Sequence, residues 1–318
     1  MNTRQTPKNR LFFQYLTYTI LTLFVILVAI LYISKNADAF RRIFTLSWHS
    51  VAYFFILQMA MTITNALVLI IYMGILKNKI SFVDASGLTV INTFFNNVAI
   101  KGGTLVRGYF LKKIHNFSYT NFLLTLSTFA LIELISAGFI GISCLIIIYF
   151  TRGYFNPYLF LLFIAFFIGG ITATAIPLNK IFKSNSWLGK KLIELTEAWD
   201  KIKRNKSKIT RLFLLSLSQY IIFALRFKYG FQVLYGHSSF IDSLLISTIG
   251  ILSFLLSITP GGIGIREFLT GATYKLINGN MVEAVVITAL DRLISTVAFF
   301  VLGMAFIFYF LKKIKTKK

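Results

Sequence analysis

Acidic residues are scarce in this chain. Ten Asp and Glu stand against 33 Lys and Arg in 318 residues, a formal net charge of +23. Charged residues of both signs make up only 14%, where a soluble domain carries about 25%. Cysteine is nearly absent: the one residue, Cys144, excludes an intrachain disulfide framework and a Cys-based zinc site. The three histidines, His49, His115 and His237, are scattered without ligand spacing, so no metal and no other cofactor is expected. No Asp-x-Asp pair occurs, which argues against a metal-dependent glycosyltransferase. No Gly-Lys-Ser/Thr follows the glycine-rich stretches, which excludes a P-loop.

What is abundant is apolar. The chain is 57% hydrophobic with mean hydropathy +0.75, and holds 34 Phe and 15 Tyr. These values describe an all-α polytopic membrane protein, a single transmembrane domain over residues 1–318. The positive balance belongs to loops facing anionic lipid head groups rather than to nucleic acid. Apolar runs long enough to span a bilayer, about 20 residues, fall at 11–33, 51–73, 122–150, 158–177, 212–231 and 284–310. The first of these resembles a signal peptide in its basic flank, but its apolar stretch is too long for one, so an uncleaved anchor is expected.

The chain also repeats itself. Gly102-Gly103 precedes Arg107 as Gly261-Gly262 precedes Arg266, an offset of 159. The same offset carries Ile132-Glu133-Leu134-Ile135-Ser136 onto Asp291-Arg292-Leu293-Ile294-Ser295. Related starts, Phe82-Val83-Asp84 and Phe240-Ile241-Asp242, precede each glycine pair. Two units follow, 82–150 and 240–310. In each, an apolar segment (82–100, 240–259) runs into glycines and a short second arm (105–111, 268–277), which reads as a re-entrant helical hairpin. Non-helical backbone at membrane depth must be buried or line a cavity, so the two turns are expected to face each other or a polar cavity near the midplane. One net crossing per unit, with two spans between units, makes the repeats inverted, as in many transporters.

With the N-terminus in the cytoplasm, the inner segments hold 22 of the 33 basic residues, ten of them between Lys180 and Arg211. Arg226 and Lys228 are counted with the outer segments. This bias places both termini inside. Within the inner loop 179–211, Leu188, Leu192, Leu195, Trp199 and Ile202 recur at helical spacing opposite charged residues, which predicts an amphipathic helix in the interface or a docking site for a soluble enzyme.

Glu133, Glu267 and Asp291 lie in or near the apolar interior, where ionisable groups normally pair or mark a substrate or ion pathway. Arg107, Arg266 and Arg292 balance them, and Lys101 adds a fourth cation. The backbone N–H groups of Gly102, Gly103, Gly261, Gly262 and Gly264 open short helical arms and suit an anion. Arginine suits phosphate oxygens. A phosphate-bearing ligand is therefore expected, with Arg107 and Arg266 as contacts and Glu133 pairing across the repeat. Pro260 ends its helix by removing a donor, while Asn96 and Asn97 can satisfy freed backbone groups at the other turn.

The stretch Ser257-Ile258-Thr259-Pro260-Gly261-Gly262-Ile263-Gly264-Ile265-Arg266-Glu267 resembles the Pro-Gly-Gly-x-Gly-x-x-Glu hallmark of the family named after the transmembrane region of lysylphosphatidylglycerol synthase, a flippase-like family. Asn96-Asn97 through Gly103 and Arg107 resembles its first block, and Asp291-Arg292-Leu293 its late arginine. The family's usual first-block proline is replaced by Ile100-Lys101, and its Glu-Arg pair by Glu133-Leu134. The sequence carries no soluble aminoacyl-transferase domain. The resemblance therefore implies translocation of an anionic phospholipid or polyprenyl-phosphate-linked precursor across a bacterial inner membrane, rather than an enzyme. The alternatives are a membrane-embedded glycosyltransferase-type enzyme and a non-catalytic partner of an envelope synthase.

Overall fold

A computed structural model describes residues 27, 30–175, 203–237, 239–255 and 259–316. The expected first span lies mostly outside these residues, and the amphipathic helix of the inner loop lies wholly outside them. Every regular element among the described residues is helical: α1 (Ala37–Arg41), α2 (Trp48–Ile75), α3 (Phe82–Val98), α4 (Gly102–His115), α5 (Tyr119–Arg152), α6 (Pro157–Ala175), α7 (Lys206–Tyr235), α8 (Phe240–Leu252), α9 (Ile265–Lys275) and α10 (Met281–Lys315), with short 3-10 turns at Arg42–Thr45 and Pro260–Gly262.

Local chemistry sets the boundaries. Ser47, Ser81, Ser118 and Ser239 each accept a backbone N–H of the first turn of α2, α3, α5 and α8, satisfying a donor that would otherwise be orphaned. Pro157 opens α6, where its missing N–H costs nothing. Gly153 and Gly236 close α5 and α7 in the left-handed conformation.

Five helices, α2, α5, α6, α7 and α10, are long and apolar enough to cross a membrane. Their outward faces stay apolar: Ile56, Phe150, Leu161, Val301 and Phe308 are all more than half exposed. In the most apolar window of α6 only 17% of residues are buried. Apolar faces this extensive are solvated by lipid, not water, and the chain is a multi-pass membrane protein.

α3, α4, α8 and α9 are different. They hold 17, 14, 13 and 11 residues, which at 1.5 Å each reach about 17 to 26 Å, short of a hydrocarbon core of about 30 Å. The arms differ in extent from the sequence expectation. α4 begins at Gly102 rather than near Leu105, because the break is made by Lys101 in a left-handed conformation (φ 54°). α8 ends at Leu252, and the chain turns through Pro260–Gly262 before α9 starts at Ile265.

Contacts between helix ends sort into two groups. In one, His115 at the end of α4 lies 3.3 Å from Asp84 at the start of α3, Lys313 near the end of α10 reaches the same carboxylate at 2.5 Å, and Lys208 of α7 donates to the Gly74 carbonyl of α2. In the other, Arg152 at the end of α5 pairs with Asp242 at the start of α8 at 2.9 Å, while Tyr154 and Asn156 donate to the Leu276 carbonyl just past α9. Each short-helix pair therefore starts and ends within one group. Asp84 at the start of α3 is thus held by the end of α10, and Asp242 at the start of α8 by the end of α5.

Candidate functional site

The two glycine turns meet. A Cβ at Gly261, which takes φ +61°, would stand 2.7 Å from the Asn97 side-chain oxygen. On the other side Arg292 of α10 donates to the Gly261 carbonyl at 3.0 Å and pairs with Glu267 at 3.1 Å. Glu267 turns its second oxygen to the Gly264 N–H at 2.8 Å, capping the α9 start from which it projects. One carboxylate thus ties the turn, the first turn of α9 and α10 together.

Next to this sits a deeper cluster. Asp291, 1% exposed, is shared by two arginines: Arg266 of α9 and Arg226 of α7, each at 2.5 Å. The Arg266 guanidinium also lies over the rings of Phe223 and Phe254, at 4.7 and 5.2 Å. Thr270 and Thr288 join α9 to α10 at 2.8 Å just beyond. With carboxylates ionised, these three arginines and two carboxylates carry one net positive charge. The Nε atoms of Arg226 and Arg266 are buried without a hydrogen-bond partner, an expensive state for cationic donors.

Several placements depart from the sequence reading. Arg226, counted there with the outer segments, is 2% exposed and central to the cluster. Its position inside the apolar run 212–231 was the available signal: an arginine amid a span needs a partner. Arg266, expected on phosphate, is committed to Asp291. The glycine N–H groups expected to bind an anion are largely used by the protein itself. Gly102 donates to Ala99, Gly103 to the Asn96 side chain at 2.9 Å, Gly262 to Thr259 and Gly264 to Glu267. Hairpin closure consumes them, because a buried N–H must be paired. Asn96 accordingly acts on the first turn, while Asn97 faces the second.

Arg107, one turn beyond Gly103, has no ion pair among the described residues, and its Nε is shut off from solvent without a partner. Lys101 is exposed at the tip. Glu133, 1% exposed, has no cation against its carboxylate among the described residues; the Tyr220 and Ser216 side chains of α7 approach its carboxyl group instead. The pairing expected for it across the repeat is not made. Asp291, Arg292 and Glu267 come together; Glu133 stands apart. A cavity of about 390 Å³ lies away from the turns, lined by Asp38, Arg42, Tyr235, Asn280 and Glu283.

The family described as the lysylphosphatidylglycerol synthase TM region matches residues 19–303. A UPF0104 membrane protein of Pyrococcus horikoshii is 27% identical, over 68% of this chain and 74% of its own. No solved structure matches the chain.

Proposed function

The chain belongs to the lysylphosphatidylglycerol synthase TM region family, and on that footing we propose that it is a lipid transporter, not an enzyme, moving a phosphate-bearing lipid between leaflets. The observation that carries this reading is an uncompensated positive charge where two short helix pairs touch: a linked group of three arginines and two carboxylates, with Arg107 close in sequence to the first turn and without a counter-anion among the described residues. A buried cation without a partner is costly, and a lipid phosphate neutralises it. Arginine's planar fork suits that group.

The geometry found is a closed one, so transport needs the ion pairs to open. Asp291 holds two arginines and can release one while keeping the other. The hairpins form inverted repeats, each entering from one face and exchanging its starting Asp onto the other unit's last helix. Lys77, Lys79, Lys112, Lys113, Arg204, Lys206 and Lys208 cluster toward the Asp84–Lys313 group of helix ends, which is the cytoplasmic face by the positive-inside rule. The protein sits in the cytoplasmic membrane with both termini inside.

The test is lipid movement by the purified protein in proteoliposomes, read by dithionite bleaching of fluorescent phosphatidylglycerol. Wild-type protein bleaches both leaflets, while Arg107→Gln and Glu267→Gln variants that remain monodisperse bleach only the outer one. Full bleaching by both variants refutes the site. Equal movement of a lipid without phosphate refutes the ligand class.

A further inference from the structure

Glu133 lies near the middle of the 34-residue helix α5, away from the arginine cluster. It is buried, and among the described residues no cation pairs with its carboxylate. Its surroundings are polar in an unusual way. Tyr220 of α7 donates its hydroxyl to the Glu133 backbone carbonyl at 3.1 Å, and Ser216, one turn earlier on α7, lies beside the carboxyl group. Ser136 follows one turn later on the same face of α5, fully buried. Tyr72 enters from α2 and is 2% exposed. Among the described residues the hydroxyls of Ser136 and Tyr72 find no hydrogen-bond partner. The walls are apolar: Val68, Ile132 and Leu212 belong to the same buried cluster as Tyr72.

A buried carboxylate among unmet hydroxyls is too costly to persist alone. A proton on Glu133 would remove the charge but leave several hydroxyl oxygens unsatisfied. A hard cation answers both needs, because it takes oxygen ligands in number. One carboxylate supplies one negative charge, so a monovalent ion leaves the pocket neutral where a divalent ion would not. Among the described residues no group of three or more His, Cys, Asp or Glu side chains gathers to add further negative charge.

We propose that Glu133, with the hydroxyls of Tyr72, Ser136 and Ser216, binds a single monovalent alkali cation between α2, α5 and α7. This site stands apart from the lipid-translocation reading and holds whether or not that reading does.

The measurement is binding of radioactive sodium to the purified, detergent-solubilised chain by scintillation proximity. Wild type shows saturable binding of one ion per chain, displaced by unlabelled sodium but not by choline. The Glu133→Gln variant loses it, and the wild-type unfolding temperature rises with sodium chloride but not with choline chloride. If Glu133→Gln fails to fold, the Ser136→Ala/Ser216→Ala double variant, which keeps the carboxylate, weakens sodium affinity at least several-fold. No saturable binding by wild type, equal displacement by choline, or unchanged affinity in the double variant overturns the site.

Discussion

Removing the Asp291 carboxylate is the sharpest perturbation of the arginine cluster. In the Asp291→Asn variant, Arg226 and Arg266, 2% and 5% exposed, lose their common anion. Breaking one buried pair costs about 3–5 kcal/mol because a charge is left uncompensated. Here two guanidinium groups are stranded, both close to where the carboxylate stood, and they also repel one another. The upper part of that range is therefore expected. Adding Arg226→Gln removes one of the two stranded charges, so the double variant should be more stable than Asp291→Asn alone. The coupling between the two sites should exceed about 1 kcal/mol, as for residues sharing one network. Equilibrium unfolding of all four proteins in the cycle, followed by tryptophan fluorescence in mixed micelles, gives these differences. A loss below about 1 kcal/mol for Asp291→Asn, or strict additivity in the cycle, would show that the cluster does not carry the electrostatic load its geometry implies.

Two further outcomes follow from other contacts. A Gly103→Ala methyl would collide with the Asn92 backbone carbonyl of the facing arm, and backbone cannot yield as a side chain can, so a loss of about 1–3 kcal/mol is expected in the same unfolding assay; wild-type stability would mean the arms are not closely apposed. Asp84, outside the five spanning helices, has its carboxyl pushed up by burial, but hydrogen bonds from Lys313 and Tyr309 outweigh this and hold it below the usual range. A group lowered on folding contributes stability above its unfolded pKa of about 3.9 and loses it as pH falls through the folded value. The wild-type unfolding temperature should therefore drop between pH 5 and 3 more steeply than that of Asp84→Asn; parallel curves would remove Asp84 as the cause.

Much of the architecture was legible because membrane helices announce themselves by length and apolarity. The five spans fall close to their expected positions, since each backbone group in lipid must be paired within its own helix. The breaks between the short helices were legible from glycine pairs in apolar sequence, and the cluster from charges within apolar segments. Arg226 was missed because loop and span charges were separated by proximity to an end rather than by depth. The glycine N–H groups were misassigned because sequence shows that a donor exists, not that Asn96 or Glu267 reaches it first.

The sequence by itself determined a helical membrane protein and the positions of its long apolar helices. It did so because hydropathy and propensity act residue by residue. Only the tertiary structure decided partnership: that Asp291 serves two arginines, that Asp84 is held by α10 and Asp242 by α5, and that Glu133 lies among hydroxyls with no cation among the described residues. Ion pairs form between side chains a few ångströms apart, and in this fold those partners lie 25 to 229 residues apart along the chain, a separation on which local sequence pattern is silent.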